Sequence, residues 1–167
     1  ELGMKQDRIL YSDDTETGCA LIMVDENTSQ NEIVVILGSC NTISDAEVDS
    51  LEDLLDGCEY MLTQLETNVS SVERIVILNT APVQPISDEL LSKVDLITPN
   101  EVEAEILTGV KVDSEEAADK AAEWFFGKGV KRVLITLGGR GVYINTGDKK
   151  GIIPAYKVNA IDTTGAG

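Results

Sequence analysis

The residues best suited to chemistry come last in the chain: Asp162, Thr163 and Thr164, followed by Gly165, Ala166 and Gly167. The last three carry almost no side chain, so consecutive backbone N–H groups can converge on one point. If a helix starts there, its positive end faces that point too. The result is an anion hole. It suits phosphoryl transfer, in which negative charge spreads over the equatorial oxygens of the moving group and fixed donors stabilise it. The same six residues also read as a small-residue turn at a chain end, so the rest of the sequence has to decide.

Composition narrows the classes. A chain of 167 residues that is 43% apolar can bury a real core within one domain. The formal charge of −17 leaves no basic stripe to neutralise phosphates, which excludes a nucleic-acid partner. Histidine is absent, so a Ser-His-Asp or Cys-His nucleophile cannot form within this chain. Cys19, Cys40 and Cys58 lack CxxC spacing and are expected to be free thiols. No apolar run reaches eighteen residues, and Glu1 to Gln6 has neither the charged start nor the apolar middle of a signal peptide. The expectation is a soluble, cytoplasmic chain with no membrane partner.

Several elements must position any site. Thr17 to Val24 and Glu32 to Leu37 read as strands joined by a polar turn, which predicts a hairpin. Ser44 with Glu47 forms a capping box, and Val48, Leu51, Leu54 and Leu55 predict one helix that ends at Gly57. Tyr60 to Leu65 and Ile75 to Leu78 read as strands, Ser87 to Leu91 as a short helix and Val94 to Thr98 as a strand stopped by Pro99. Asn100 opens a helix closed by Gly109. Ser114 caps another, whose buried stripe is expected to be Ala117, Ala121, Trp124 and Phe125. Val133 to Leu137 reads as a strand buried on both faces, and Val142 to Ile144 should pair with Gly151 to Ile153. Strand and helix alternate, so the class is α/β with helices over a mainly parallel sheet.

In such sheets ligands sit at the carboxyl ends of the strands. Glu66, Asn79, Asn100, Thr136 and the Gly138 turn each follow a strand directly. Alone, the run Thr136-Leu137-Gly138-Gly139-Arg140-Gly141 reads as a structural hairpin turn, and it lacks GxGxxG spacing. Alone, Asn100-Glu101-Val102-Glu103 reads as a capped helix with a solvated acidic face.

Together these segments change the reading. Asp162 to Gly167, the Asn100-x-x-Glu103 element, Leu134 to Val142, Met61 to Glu66 and Leu78 to Pro82 resemble, in order and spacing, the ribokinase-like (PfkB) carbohydrate kinases, and in particular the ribose-phosphorylating branch. The resemblance spans nearly the whole chain. It implies a three-layer fold, mainly parallel, with helices on both faces and a small β lid: lid strands over 15–37 and an α/β core over 42–167. It implies ATP, Mg²⁺ and K⁺ as cofactors and ribose or a related sugar as substrate. Glu66 would touch the sugar. Asn100 would meet the nucleotide phosphates, with Thr136, Leu137, Gly138, Gly139, Arg140 and Gly141 along the nucleotide. Glu103 would help place magnesium, directly or through water, Asp162 and Thr164 would help bind potassium, and Gly165, Ala166 and Gly167 would form the anion hole. Pairing of two copies through the lid is also implied.

Departures accompany the resemblance. The family's sugar-binding Gly-rich segment has no counterpart in the chain, nor does the catalytic Asp expected after Gly167, and Gly38-Ser39-Cys40-Asn41 stands where Gly-Ala-Asn is common. The expectation is therefore a partial kinase domain over 1–167, inactive by itself. Another sugar or nucleoside kinase, or a non-catalytic sugar- or nucleotide-binding module, would share the fold. Strands Tyr60 to Leu65 and Ile75 to Leu78 should be parallel neighbours, although the link between them is too short for the helical crossover such neighbours need. About ten residues are accordingly expected to be missing between Val72 and Glu73.

Overall fold

The structure is a computed structural model that describes residue 3 and residues 9–28, 30–65 and 75–158. It contains a two-stranded sheet, β1 (Cys19–Val24) against β2 (Asn31–Ile36), and a six-stranded sheet in the order β3-β4-β5-β6-β7-β8. The larger sheet comprises β3 (Tyr60–Gln64), β4 (Ile75–Asn79), β5 (Leu96–Ile97), β6 (Arg132–Thr136), β7 (Val142–Asn145) and β8 (Lys150–Ile153). Its first three pairings are parallel and its last two antiparallel. Helices flank the sheet in a three-layer α/β architecture, with the β1–β2 hairpin as a small lid.

Short-range signals decide most boundaries. Ser87, Asn100 and Ser114 cap α3 (Asp88–Ser92), α4 (Glu101–Thr108) and α5 (Glu115–Gly127) by accepting N–H bonds from residues three positions on. Gly109 ends α4 in the left-handed region at φ 74°. Strands β3 and β4 are parallel neighbours, with Gln64 opposite Asn79. The Val72–Glu73 junction lies outside the described residues.

Three expectations change. The single helix after Ser44 is two short ones, α1 (Asp45–Asp49) and α2 (Glu52–Leu55). Asp45, Asp49 and Asp53 fall at helical i, i+4 spacing in a segment with no Lys or Arg, and Ser50 Oγ turns back to the Glu47 carbonyl at 2.6 Å. Like charges and that side-chain bond both weaken a continuous helix. On α5 the buried residues are Ala118, Ala121, Ala122 and Phe125, while Ala117 and Trp124 are half-buried. Three alanines bring the helix close to the sheet and Phe125 fills the space. The larger Trp124 ring stays at the margin, edge-on to Phe125 at 5.3 Å and beneath the Lys128 ammonium. Finally, β6 alternates: Val133 and Ile135 are buried, whereas Leu134 and Thr136 are half-buried on the opposite face. Its second face is only partly covered.

The core gathers Val76 and Leu78 of β4, Ile97 of β5, Val133 and Ile135 of β6, Tyr143 of β7 and the buried face of α5. Asp95 ties the near end of the sheet together, accepting the Val76 N–H at 3.0 Å and the Lys131 ammonium at 2.7 Å. Burial raises its pKa, but these hydrogen bonds outweigh that and hold the carboxyl below its ordinary range. The two legs of the hairpin meet at its base, where Gly18 passes Leu37 and Gly38. A Cβ on Gly18 would lie 2.5 Å from the Leu37 carbonyl, and one on Gly38 would lie 2.8 Å from the Gly18 nitrogen.

Candidate active site

The far ends of β4, β5 and β6 bring the expected residues side by side. Asn100 sits just past β5 and forms an isolated parallel bridge with Thr136, the last residue of β6, whose N–H reaches the Pro99 carbonyl at 3.0 Å. Asn100 Oδ1 accepts the Glu103 N–H at 2.8 Å, and Glu103 Oε2 accepts the Asn100 N–H at 2.9 Å. This reciprocal box orients both side chains at the positive end of α4. Glu103 is not on a solvated face: it is only 9% exposed. Its Oε2 also accepts the hydroxyl of Thr80 at 2.7 Å, from the end of β4.

The turn after β6 divides into an open half and a closed half. Gly138, at φ 52°, and Gly139 have nothing within 4 Å of where a Cβ would lie, so the backbone there is free to approach a ligand. Gly141, at φ 104°, is closed: a Cβ would strike the Ile153 carbonyl oxygen and lie 2.6 Å from the Ala155 nitrogen. Arg140 turns away from the strand ends. Its guanidinium donates to the Asp113 and Val112 carbonyls at 2.9 and 2.8 Å and pairs with Glu101. A planar fork of donors is thereby spent on the α4–α5 connection, so what Arg140 and Gly141 offer a ligand is backbone shape.

Beneath the lid lies a cavity of about 610 Å³, between the hairpin face carrying Ala20, Ile22, Ile33 and Val35 and the residues Ala81 and Pro82 past β4. Asn79 Oδ1 accepts the Ala81 N–H at 3.0 Å and shapes that turn. Gln84 donates to the Leu65 carbonyl at 2.7 Å, which ties the turn to the residue before Glu66. The positions of Glu66, Asp162, Thr164, Gly165, Ala166 and Gly167 lie outside the described residues.

No group of three or more acidic, Cys or His side chains among the described residues could cage a metal ion. Magnesium does not require such a cage. It is commonly held by one or two carboxylates together with substrate phosphates, and Glu103, buried, fixed through one oxygen and next to Asn100, fits that donor chemistry. Sequence reasoning gave Thr80 no role, because its partner lies 23 positions away and only the fold unites them. No helix among the described residues is long and apolar enough to cross a membrane.

Comparison with known proteins identifies the family and the fold. A profile of the pfkB family carbohydrate kinases matches residues 1–167. The ribokinase of Haemophilus influenzae is 46% identical over 161 residues, covering 90% of this chain and 52% of that protein. The deoxyribokinase of Salmonella typhi is 34% identical over 164 residues, covering 92% and 53%. Arabidopsis thaliana ribokinase, solved with ribose and ATP, superposes with a TM-score of 0.70 at 31% identity, covering 92% of this chain and 53% of that one. The chain thus spans about half the length of these relatives.

Proposed function

Because the chain belongs to the pfkB family of carbohydrate kinases, we propose that the intact protein transfers the γ-phosphoryl group of ATP to a sugar hydroxyl, with D-ribose as substrate and ribose 5-phosphate as product. The observation that carries this reading is the convergence of Asn100, Glu103, Thr136 and the open Gly138-Gly139 backbone on one edge, with the lid cavity past β4. A helix start with an exposed Asn suits phosphate oxygens, and bare glycine backbone suits close approach of the nucleotide.

Glu66 would hold the sugar below the lid, and the Gly165-Ala166-Gly167 amides would receive the transferring group. The base that takes the hydroxyl proton is expected immediately after that run. Bound magnesium would neutralise charge on the phosphate oxygens, with Glu103 as its protein donor, and Asp162 and Thr164 would serve potassium. We take the lid's outer face, where the paired Leu21 and Val34 are exposed and do not line the cavity, as the surface through which two copies pair.

The test is ADP release by the intact protein with ATP, Mg²⁺ and K⁺ against ribose, 2-deoxyribose, fructose and a nucleoside. Ribose should give the highest kcat/KM. Preference for 2-deoxyribose would move the assignment toward the deoxyribokinase relative, and no sugar-dependent ADP at all would refute the kinase reading.

A further inference from the structure

Thr80 is completely buried, and its hydroxyl has one partner among the described residues, Glu103 Oε2 at 2.7 Å. Valine has nearly the same shape and would avoid burying a hydroxyl, which is unfavourable without a hydrogen bond. The position therefore gains something from the oxygen. Glu103 Oε2 already receives the Asn100 N–H at 2.9 Å, so two donors from two strand ends converge on one carboxylate oxygen. They fix the plane of the carboxylate and leave Oε1 without a hydrogen bond among the described residues.

We infer that Thr80 is a positioning residue for the divalent cation that accompanies the nucleotide: its hydroxyl occupies Oε2 of Glu103, so that Oε1 is held toward the cation or its bound water. The inference rests on the kinase reading and adds to it a residue that does not touch substrate. Outer-sphere partners of this kind orient a ligand and tune its affinity, and their loss commonly weakens metal binding about 10-fold or more. Because the Asn100 N–H remains on Oε2, the effect here is expected at the low end. A purely structural role is the competing account, with the same hydrogen bond merely pinning α4 to the end of β4.

The experiment compares wild type, Thr80→Val, Thr80→Ala and Thr80→Ser in the intact protein. Mn²⁺ binding is read by electron paramagnetic resonance in the presence of a non-hydrolysable ATP analogue, with chemical denaturation in parallel. Both variants without a hydroxyl should weaken Mn²⁺ binding about 5- to 10-fold and raise the Mg²⁺ concentration needed for half-maximal activity, leaving the sugar KM unchanged. Thr80→Ser should return Mn²⁺ affinity to within about two-fold of wild type. If Thr80→Val does not fold, Thr80→Ala and Thr80→Ser carry the same contrast. Variants that lose stability yet bind Mn²⁺ like wild type would overturn this inference alone. A wild-type protein that binds no Mn²⁺–nucleotide and phosphorylates no sugar would overturn the kinase reading with it.

Discussion

Val76 and Leu78 on β4 and Val133 and Ile135 on β6 are buried, whereas all six residues of β1 and five of the six of β2 are exposed. Both regions are rich in Val, Ile and Leu, so composition does not separate them. Cover does. Helices α4 and α5 pack against the sheet that holds β4 and β6, and the strand ends there are already oriented by Asn100, Glu103 and Thr80. Among the described residues β1 and β2 pack chiefly on each other, and a two-stranded ribbon is marginal without something packed on its faces. One region is held in place by cover and hydrogen bonds, and the other presents both of its strands to solvent.

The sharpest way to break this contrast is inside the rigid half. Gly141→Ala places a methyl group against the Ile153 carbonyl in a backbone conformation that L residues resist, and should destabilise the chain by about 3 kcal/mol. Gly138→Ala shares the positive φ but meets open space, so about 1 kcal/mol is expected. Equal losses for the two in urea denaturation would mean that the closed half of the turn is not closed.

A smaller effect lies at the far side of the sheet. Tyr143 is buried and donates to Asp119 at 2.8 Å, and burial first, then that hydrogen bond, push its pKa up to about 12. Lys150, also bound to Asp119, is raised as well. A group raised by folding contributes its stability below the unfolded value, about 10 for tyrosine, and loses it as pH climbs to about 12. Alkaline ultraviolet titration should show a late tyrosine step that Tyr143→Phe abolishes, and the variant should lose stability less steeply between about pH 10 and 12. An unchanged curve would place the phenol outside this network.

The smallest stability change is expected in the lid. Leu21→Ser sits on an exposed, outward face and should shift unfolding by no more than about 0.5 kcal/mol. If two copies pair through that face, the same substitution should shift the intact protein toward monomer in sedimentation. A large loss of stability in the isolated chain would show that the hairpin is as firmly packed as the core.

What the sequence disclosed follows range. The boxes at Ser44–Glu47 and Asn100–Glu103, the Gly109 stop and the paired strands at both ends of the chain were legible because each depends on neighbours or on simple periodicity. The interrupted helix after Ser44 was missed because apolar spacing was weighed and like charge was not. Trp124 was misplaced because period identifies a stripe without saying how close the helix comes to the sheet. Around the candidate site, Asn100, Glu103 and Thr136 could be read as strand-end residues. That Arg140 binds the Val112 and Asp113 carbonyls, or that Thr80 holds Glu103, depends on contacts across 20 or more positions that no local pattern contains.

The crossing of Gly18 and Gly38 has a mechanical meaning. Glycine at 18 and 38 lets the backbones of the two legs approach closely, so the base of the hairpin is narrow and the six residues of β1 extend from it as an arm. At about 3.3 Å per residue the arm is about 20 Å long, and a rotation of about 10° at its base carries the tip about 3.5 Å. By that geometry a small rotation at the base would be enlarged at the tip to about the width of a water molecule, across the mouth of the cavity.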